Sequence, residues 1–203
     1  MEAIDIEAAR RVGEVIESTT TGFVAECYEL YQPPPLGSLV EVGEPGAEIL
    51  AVVYHATTSS LEPGRRPIAR GREETTEEAV YQASPQLEKL LRSEFSALVV
   101  GHARGSALRQ YLPERPARIH SFVCRCSPER VREFSNALGF LSLLLDTATP
   151  VSSEELVAAT LRQMSECHED SRGFLVAAGK ELAALLSADS ARLRAILGRM
   201  APA

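Results

Sequence analysis

The 203-residue sequence has no tryptophan, and its aromatic residues amount to only 5 %. Few flat side chains are therefore at hand for stacking nucleotide bases. There is no G-x-x-x-x-G-K-[ST] and no G-x-G-x-x-G, so the glycine-rich loops that cradle nucleotide phosphates are missing. Neither a G-x-S-x-G elbow nor an H-E-x-x-H pair occurs, which removes the local signatures of α/β-hydrolases and zinc proteases. The four cysteines (Cys27, Cys124, Cys126 and Cys167) include no C-x-x-C, a pattern of reduced thiols rather than of a disulfide framework. The longest apolar runs, such as FLSLLL at 140–145, are too short to span a bilayer. The opening MEAIDIEAAR is acidic and lacks the apolar core of an export signal, so the expectation is a cytoplasmic protein with no membrane partner.

Hydrophobic residues at 45 % and charged residues at 24 % are ordinary for a globular chain. Asp and Glu outnumber Lys and Arg by 28 to 21, a net charge of −7 that argues against nucleic-acid binding through bulk charge. A local basic face remains open.

The first half alternates as strands do. RVGEVIES (11–18) and GFVAECYEL (22–30) are joined by a Thr-Thr-Thr-Gly turn, and Cys27 falls on the same face as Phe23 and Ala25, as a core residue would. QPPPLG (32–37) interrupts any strand, because three prolines remove three donors. SLVEVGE (38–44) and EILAVVYHATTSS (48–60) resume the pattern, giving four strands in about fifty residues, the spacing of a small β-barrel. EETTEEAVYQ and SPQLEKLLRSEF predict a helical insertion near 74–93, with Ser84-Pro85 as its cap and first residue. ALVVGHARGSALRQYLP (97–113) predicts a hairpin turning at residues 103–106, and the proline-pinned stretch up to Cys126 predicts the closing strand. After Ser127 the period becomes helical. Ser127-Pro128 and the Ser152/Glu155 capping box begin two helices, and about four are expected in all. The fold class is α+β: a β-barrel domain over 1–126, with its helical insertion, then an α-helical domain over 127–203.

Two groups of residues are candidate sites. His120, Cys124 and Cys126 offer nitrogen and sulfur ligands, and Cys167 and His168 could complete a set. A closed zinc site needs four converging ligands, and Cys167 and His168 are adjacent on a helix and so diverge. Buried thiols and a structural histidine are the preferred reading, with no metal or other cofactor and no catalytic residue. His55 and His102 each sit alone in a strand pattern. The arginines form the second group: Arg65, Arg66, Arg70 and Arg72 in LEPGRRPIARGR, with Arg104, Arg109, Arg115 and Arg118 further on. A face carrying Arg65, Arg66, Arg70, Arg72, Arg104 and Arg109 suits an acidic protein partner. The alternatives are nucleic acid held on a basic barrel face, or simple surface solvation of the arginines.

The segments R-V-G-E-V-I-E-S-T-T-T-G-F-V-A-E-C, G-S-L-V-E-V and E-I-L-A-V-V-Y-H-A resemble the HAS barrel. This small β-barrel stands at the N-terminus of HerA-type DNA-translocating ATPases and of the catalytic-core subunits of rotary ATP synthases. The likeness covers roughly residues 10–125 if the hairpin and the P-x-R-P-x-x-I-H-S-F-V segment close the barrel. In those ATPases a motor with a P-loop follows, whereas helices follow here. The resemblance therefore implies a non-enzymatic assembly or docking module whose partner is a HerA-type ring ATPase or its associated nuclease, and it leaves a homo-oligomer open.

Overall fold

Two hydrophobic patterns distinguish the strands, and burial explains both. The computed structural model describes residues 10–62, 64 and 66–200. Strands β1 (Arg11–Ser18), β2 (Gly22–Cys27), β3 (Leu39–Val42), β4 (Ile49–Ser60), β5 (Leu91–Arg104), β6 (Ala107–Arg109) and β7 (Phe122–Arg125) form one antiparallel sheet in the order β2-β1-β7-β3-β4-β5-β6. β2 also pairs with β5, from Gly22↔Leu98 to Glu26↔Glu94, so six strands form a closed circuit and β6 hangs outside it.

Every strand of the circuit contributes to one inner core, which holds Val15, Phe23, Ala25, Val40, Ala51, Val53, Phe95, Val99 and Val123. In β2 the alternation is clean, with Phe23, Ala25 and Cys27 buried and the residues between them partly exposed. β4 and β5 instead carry continuous apolar runs, because both of their faces are covered. Ala51, Val53, Ala97 and Val99 face inward, while Leu50, Val52, Leu98 and Val100 face out beneath the helices.

That cover consists of α2 (Pro128–Ser135), α3 (Phe140–Asp146), α4 (Ser153–Ser165), α5 (Ser171–Leu185) and α6 (Ser190–Met200). Phe134, Phe140, Leu144, Leu156 and Leu161 share a core with Leu39, Leu50 and Leu98, so the helices sit on their own sheet. The two anticipated caps form: the Arg130 N–H donates to Ser127 Oγ at 3.2 Å, and the Glu155 N–H donates to Ser152 Oγ at 3.3 Å. Among the described residues five helices stand where about four were expected, because the periodic stretch 128–146 is broken at residues 136–139. Gln110 holds the break open. Its Nε2 donates to the carbonyls of Phe134 (2.7 Å) and Ala137 (2.9 Å), and its Oε1 accepts from the Phe140 N–H (3.1 Å).

The insertion also departs from expectation. α1 (Glu77–Ala83) is helical as read, but Pro85–Leu90 is a 3-10 turn and β5 already begins at Leu91. Alternate burial of Ser93, Phe95 and Ala97 in the sheet outweighs the local helical preference of LEKLLRSEF. The hairpin turns tightly at Gly105-Ser106, with Arg104 opposite Ala107, and its return strand is only three residues long. The 121–126 stretch supplies β7, which lies between β1 and β3.

The proline-rich link is a fixed part of the architecture. Gly37 has φ +83°, and a β-carbon on it would lie 2.5 Å from the carbonyl carbon of Ala159 in α4. Only glycine allows the link to run this close to the helix backbone.

Candidate docking surface

The β4–β5 ladder extends past β3 as far as Ser60↔Leu91, and the insertion folds back over its end. A cleft of about 680 Å³ lies there, with Val80, Leu87, Leu90 and Leu91 among its apolar lining and Arg66 and Arg70 beside them. Its size is that of a small-ligand or side-chain pocket. Ile68, between the two arginines in sequence, is 73 % exposed. Arg66 and Arg70 are exposed and make no ion pair among the described residues, whereas Arg10, Arg92, Arg130 and Arg192 each engage a glutamate. Glu62 and Glu77 also line the cleft, so its charge is mixed rather than uniformly basic.

Two tyrosines close one side. Tyr31 and Tyr81 meet hydroxyl to hydroxyl at 2.5 Å, with their rings edge to face at 6.5 Å between centroids. The bond to Tyr81, followed by burial, pushes the Tyr31 hydroxyl up to about 12, so it stays protonated. Tyr31 is held in the left-handed region at φ +65°, and its N–H donates to Ser93 Oγ at 2.9 Å. Ser93 Oγ in turn bonds Thr58 Oγ at 2.7 Å. This chain of contacts fixes one wall of the cleft to the sheet. No sequence signal joined Tyr31 to Tyr81, since they are 50 residues apart and the contact is made by the tertiary fold.

The sequence-predicted arginines fall into separate places. Arg66 and Arg70 line the cleft, and Arg72 lies exposed just beyond it. Arg65 lies outside the described residues. Arg104 and Arg109 are exposed on the β5–β6 hairpin, at the opposite end of β5 from Leu91. Those ends are roughly 40 Å apart along the strand at its usual rise.

His120 and Cys124 line one cleft, Cys126 and Cys167 line another, and Cys27 lies in the inner core. His120 occupies a left-handed turn at φ +65°, and its backbone N–H donates to the Val15 carbonyl at 2.9 Å, continuing the pairing of β1. Its Nδ1 meets Glu14 Oε1 at 2.9 Å, and it lines one cleft together with Cys124. Cys124 lines a second cleft of about 670 Å³, with Arg11, Glu41, Arg118 and Phe122. Cys126 lies against the helical core, where burial pushes its thiol well above the ordinary value. Burial, then the charges of Glu26 and Glu94, raises Cys27 to about 11, and burial raises Cys167 as well. Thiols shifted this way are protonated and poorly nucleophilic. Among the described residues no group of three or more His, Cys, Asp or Glu side chains could hold a metal ion.

One serine–histidine contact went unnoticed in the sequence. Ser135 Oγ lies 2.8 Å from His168 Nε2, but Ser135 is buried and donates its proton to the Val131 carbonyl at 2.7 Å. The hydroxyl is a helix-bound acceptor for histidine, with no access for a substrate. His168 also stacks on Phe174 at 4.2 Å. No helix among the described residues is long and apolar enough to cross a membrane. No family model matches the chain, and no curated protein matches it.

Proposed function

We propose that the protein is a non-catalytic docking module whose HAS-barrel-like sheet and helical cover present the Arg66–Arg70 cleft to a protein partner. The observation that carries this reading is the joining of two guanidinium groups, without an ion pair among the described residues, to an exposed apolar lining at the end of the β4–β5 ladder. Arginine and tyrosine beside desolvatable apolar surface are the residue types on which protein interfaces concentrate their binding energy. The six-strand closed circuit supports the likeness to the HAS barrel, and that likeness gives the partner: a HerA-type ring ATPase or its associated nuclease, in the cytoplasm. Docking at such a site needs neither cofactor nor catalytic side chain.

The mixed charge of the cleft and the distance from Arg66 to Arg104 weigh against a continuous track for nucleic acid, which wants an unbroken basic groove with stacking aromatics. Purification of the tagged protein from its native lysate, with and without nuclease, separates the two readings. A ring ATPase or nuclease subunit retained after digestion supports docking. Nucleic acid alone, lost on digestion, overturns it in favour of the basic-face alternative.

A further inference from the structure

β4 runs beyond its neighbour on one side. Its pairing with β3 stops at Val52, and two backbone bonds at Val53, to Ser38 and from Gly37, end the contact. Pairing with β5 continues for seven more residues, to Ser60. From His55 to Ser59 every residue is exposed. The Leu61 N–H donates to the Leu90 carbonyl at 2.9 Å, and the register sets Leu61 opposite Leu90. Because antiparallel bonding alternates, residues 55, 57 and 59 turn their backbone groups toward β5. The N–H and C=O groups of Ala56, Thr58 and Ser60 then point to the open side, where no backbone group among the described residues meets them.

Open edges are ordinarily blocked by a charge, a proline or a bulge that turns them away. Here the ten residues VVYHATTSSL (52–61) contain no Asp, Glu, Lys, Arg or Pro, in a chain that is 24 % charged. The bulge in β4 lies between Val53 and His55, before the open stretch rather than within it. Two copies of a chain of net charge −7 repel one another overall, so a self-contact is favoured at a face that sets no charge against itself. This edge is such a face.

We propose that the β4 edge pairs with the same edge of a second copy, antiparallel and two-fold symmetric, with Thr58 opposite Thr58 of that copy. Ala56 then faces Ser60 of the second copy and Ser60 faces its Ala56, which satisfies the outward backbone groups of all three residues. Thr57 meets Ser59 and His55 meets Leu61, so no like charges oppose one another, and Thr–Thr and Thr–Ser pairs are favourable cross-strand neighbours. A symmetry axis perpendicular to the sheet keeps equivalent faces on one side. Since Thr58 and Ser60 line the Arg66 cleft, the dimer carries two clefts side by side. The contact is short, which places it among weak, concentration-dependent interfaces.

Sedimentation velocity over about 1 to 200 µM tests this, a range that brackets micromolar association. The wild type is expected to pass from monomer to dimer. Thr58→Lys, which sets a charge against itself and gives up the side-chain bond to Ser93 Oγ but no backbone bond to β5, is expected to weaken dimerisation at least tenfold, with an unchanged circular dichroism spectrum. Ala56→Pro, which removes one outward N–H, is the second variant should the first fail to fold. Under mild oxidation Thr58→Cys is expected to form a disulfide between two copies that the wild type does not form. A wild type monomeric throughout, or a dimer indifferent to both edge variants, would overturn the proposal.

Discussion

The side-chain amide of Gln110 donates to the Phe134 carbonyl at 2.7 Å, and through it the end of the β5–β6 hairpin is tied to the first helix of the cover. The same side chain bonds Ala137 and Phe140, so one residue satisfies the frayed ends of two helices at once. Replacing it with alanine leaves those groups without partners. Gln110→Ala is expected to lower stability by about 1–3 kcal/mol, seen as a lower urea midpoint with an unchanged slope. An unchanged midpoint would mean that the helix break is held by other contacts.

Gly37 separates backbone strain from close packing. Gly105 also has a positive φ, +63°, but nothing lies within 4 Å of where its β-carbon would be. Gly105→Ala should cost only the left-handed backbone penalty of about 1–2 kcal/mol. Gly37→Ala adds a collision with Ala159 and Thr160 and should cost clearly more, at least about 3 kcal/mol. Equal losses in paired urea titrations would show that the link can withdraw from α4.

His168 supplies a pH dependence. Burial, with Arg132 adding to it, lowers its pKa below the ordinary 6.5, so the folded protein holds the neutral ring more strongly than the unfolded chain does. The unfolded chain therefore binds the proton first as pH falls below about 6.5. Its contribution is fully present above that value and is lost as pH drops through the folded pKa. Thermal melts at pH 7.5 and 5.5 should show a larger loss of Tm for the wild type than for His168→Gln. Identical losses would remove His168 from the acid sensitivity.

Much of the sheet was legible because its signal is local. Phe23, Ala25 and Cys27 alternate where one face of β2 is buried, and Pro33-Pro34-Pro35 breaks the strand pattern where the chain leaves the sheet. Ser127 and Ser152 announce helix starts through their own side chains. What escaped depends on distant partners. Leu91–Ser93 reads as helix until β4 and β2 surround β5, and the break after Ser135 is invisible without Gln110, a residue from the preceding hairpin. The site was half legible. Composition marked Arg66 and Arg70, but only the fold sets them beside Tyr31 and Tyr81 and sends Arg104 and Arg109 to the other end of β5.

Docking of a protein partner at the Arg66–Arg70 cleft can be checked by comparing two charge-reversed variants in the same nuclease-treated co-purification. Arg66→Glu/Arg70→Glu alters the cleft, and Arg104→Glu/Arg109→Glu alters the hairpin. The cleft variant is expected to lose the partner at least tenfold, about 1.4 kcal/mol or more, while the hairpin variant retains it. Equal retention by both variants, or loss from the hairpin variant alone, would contradict it.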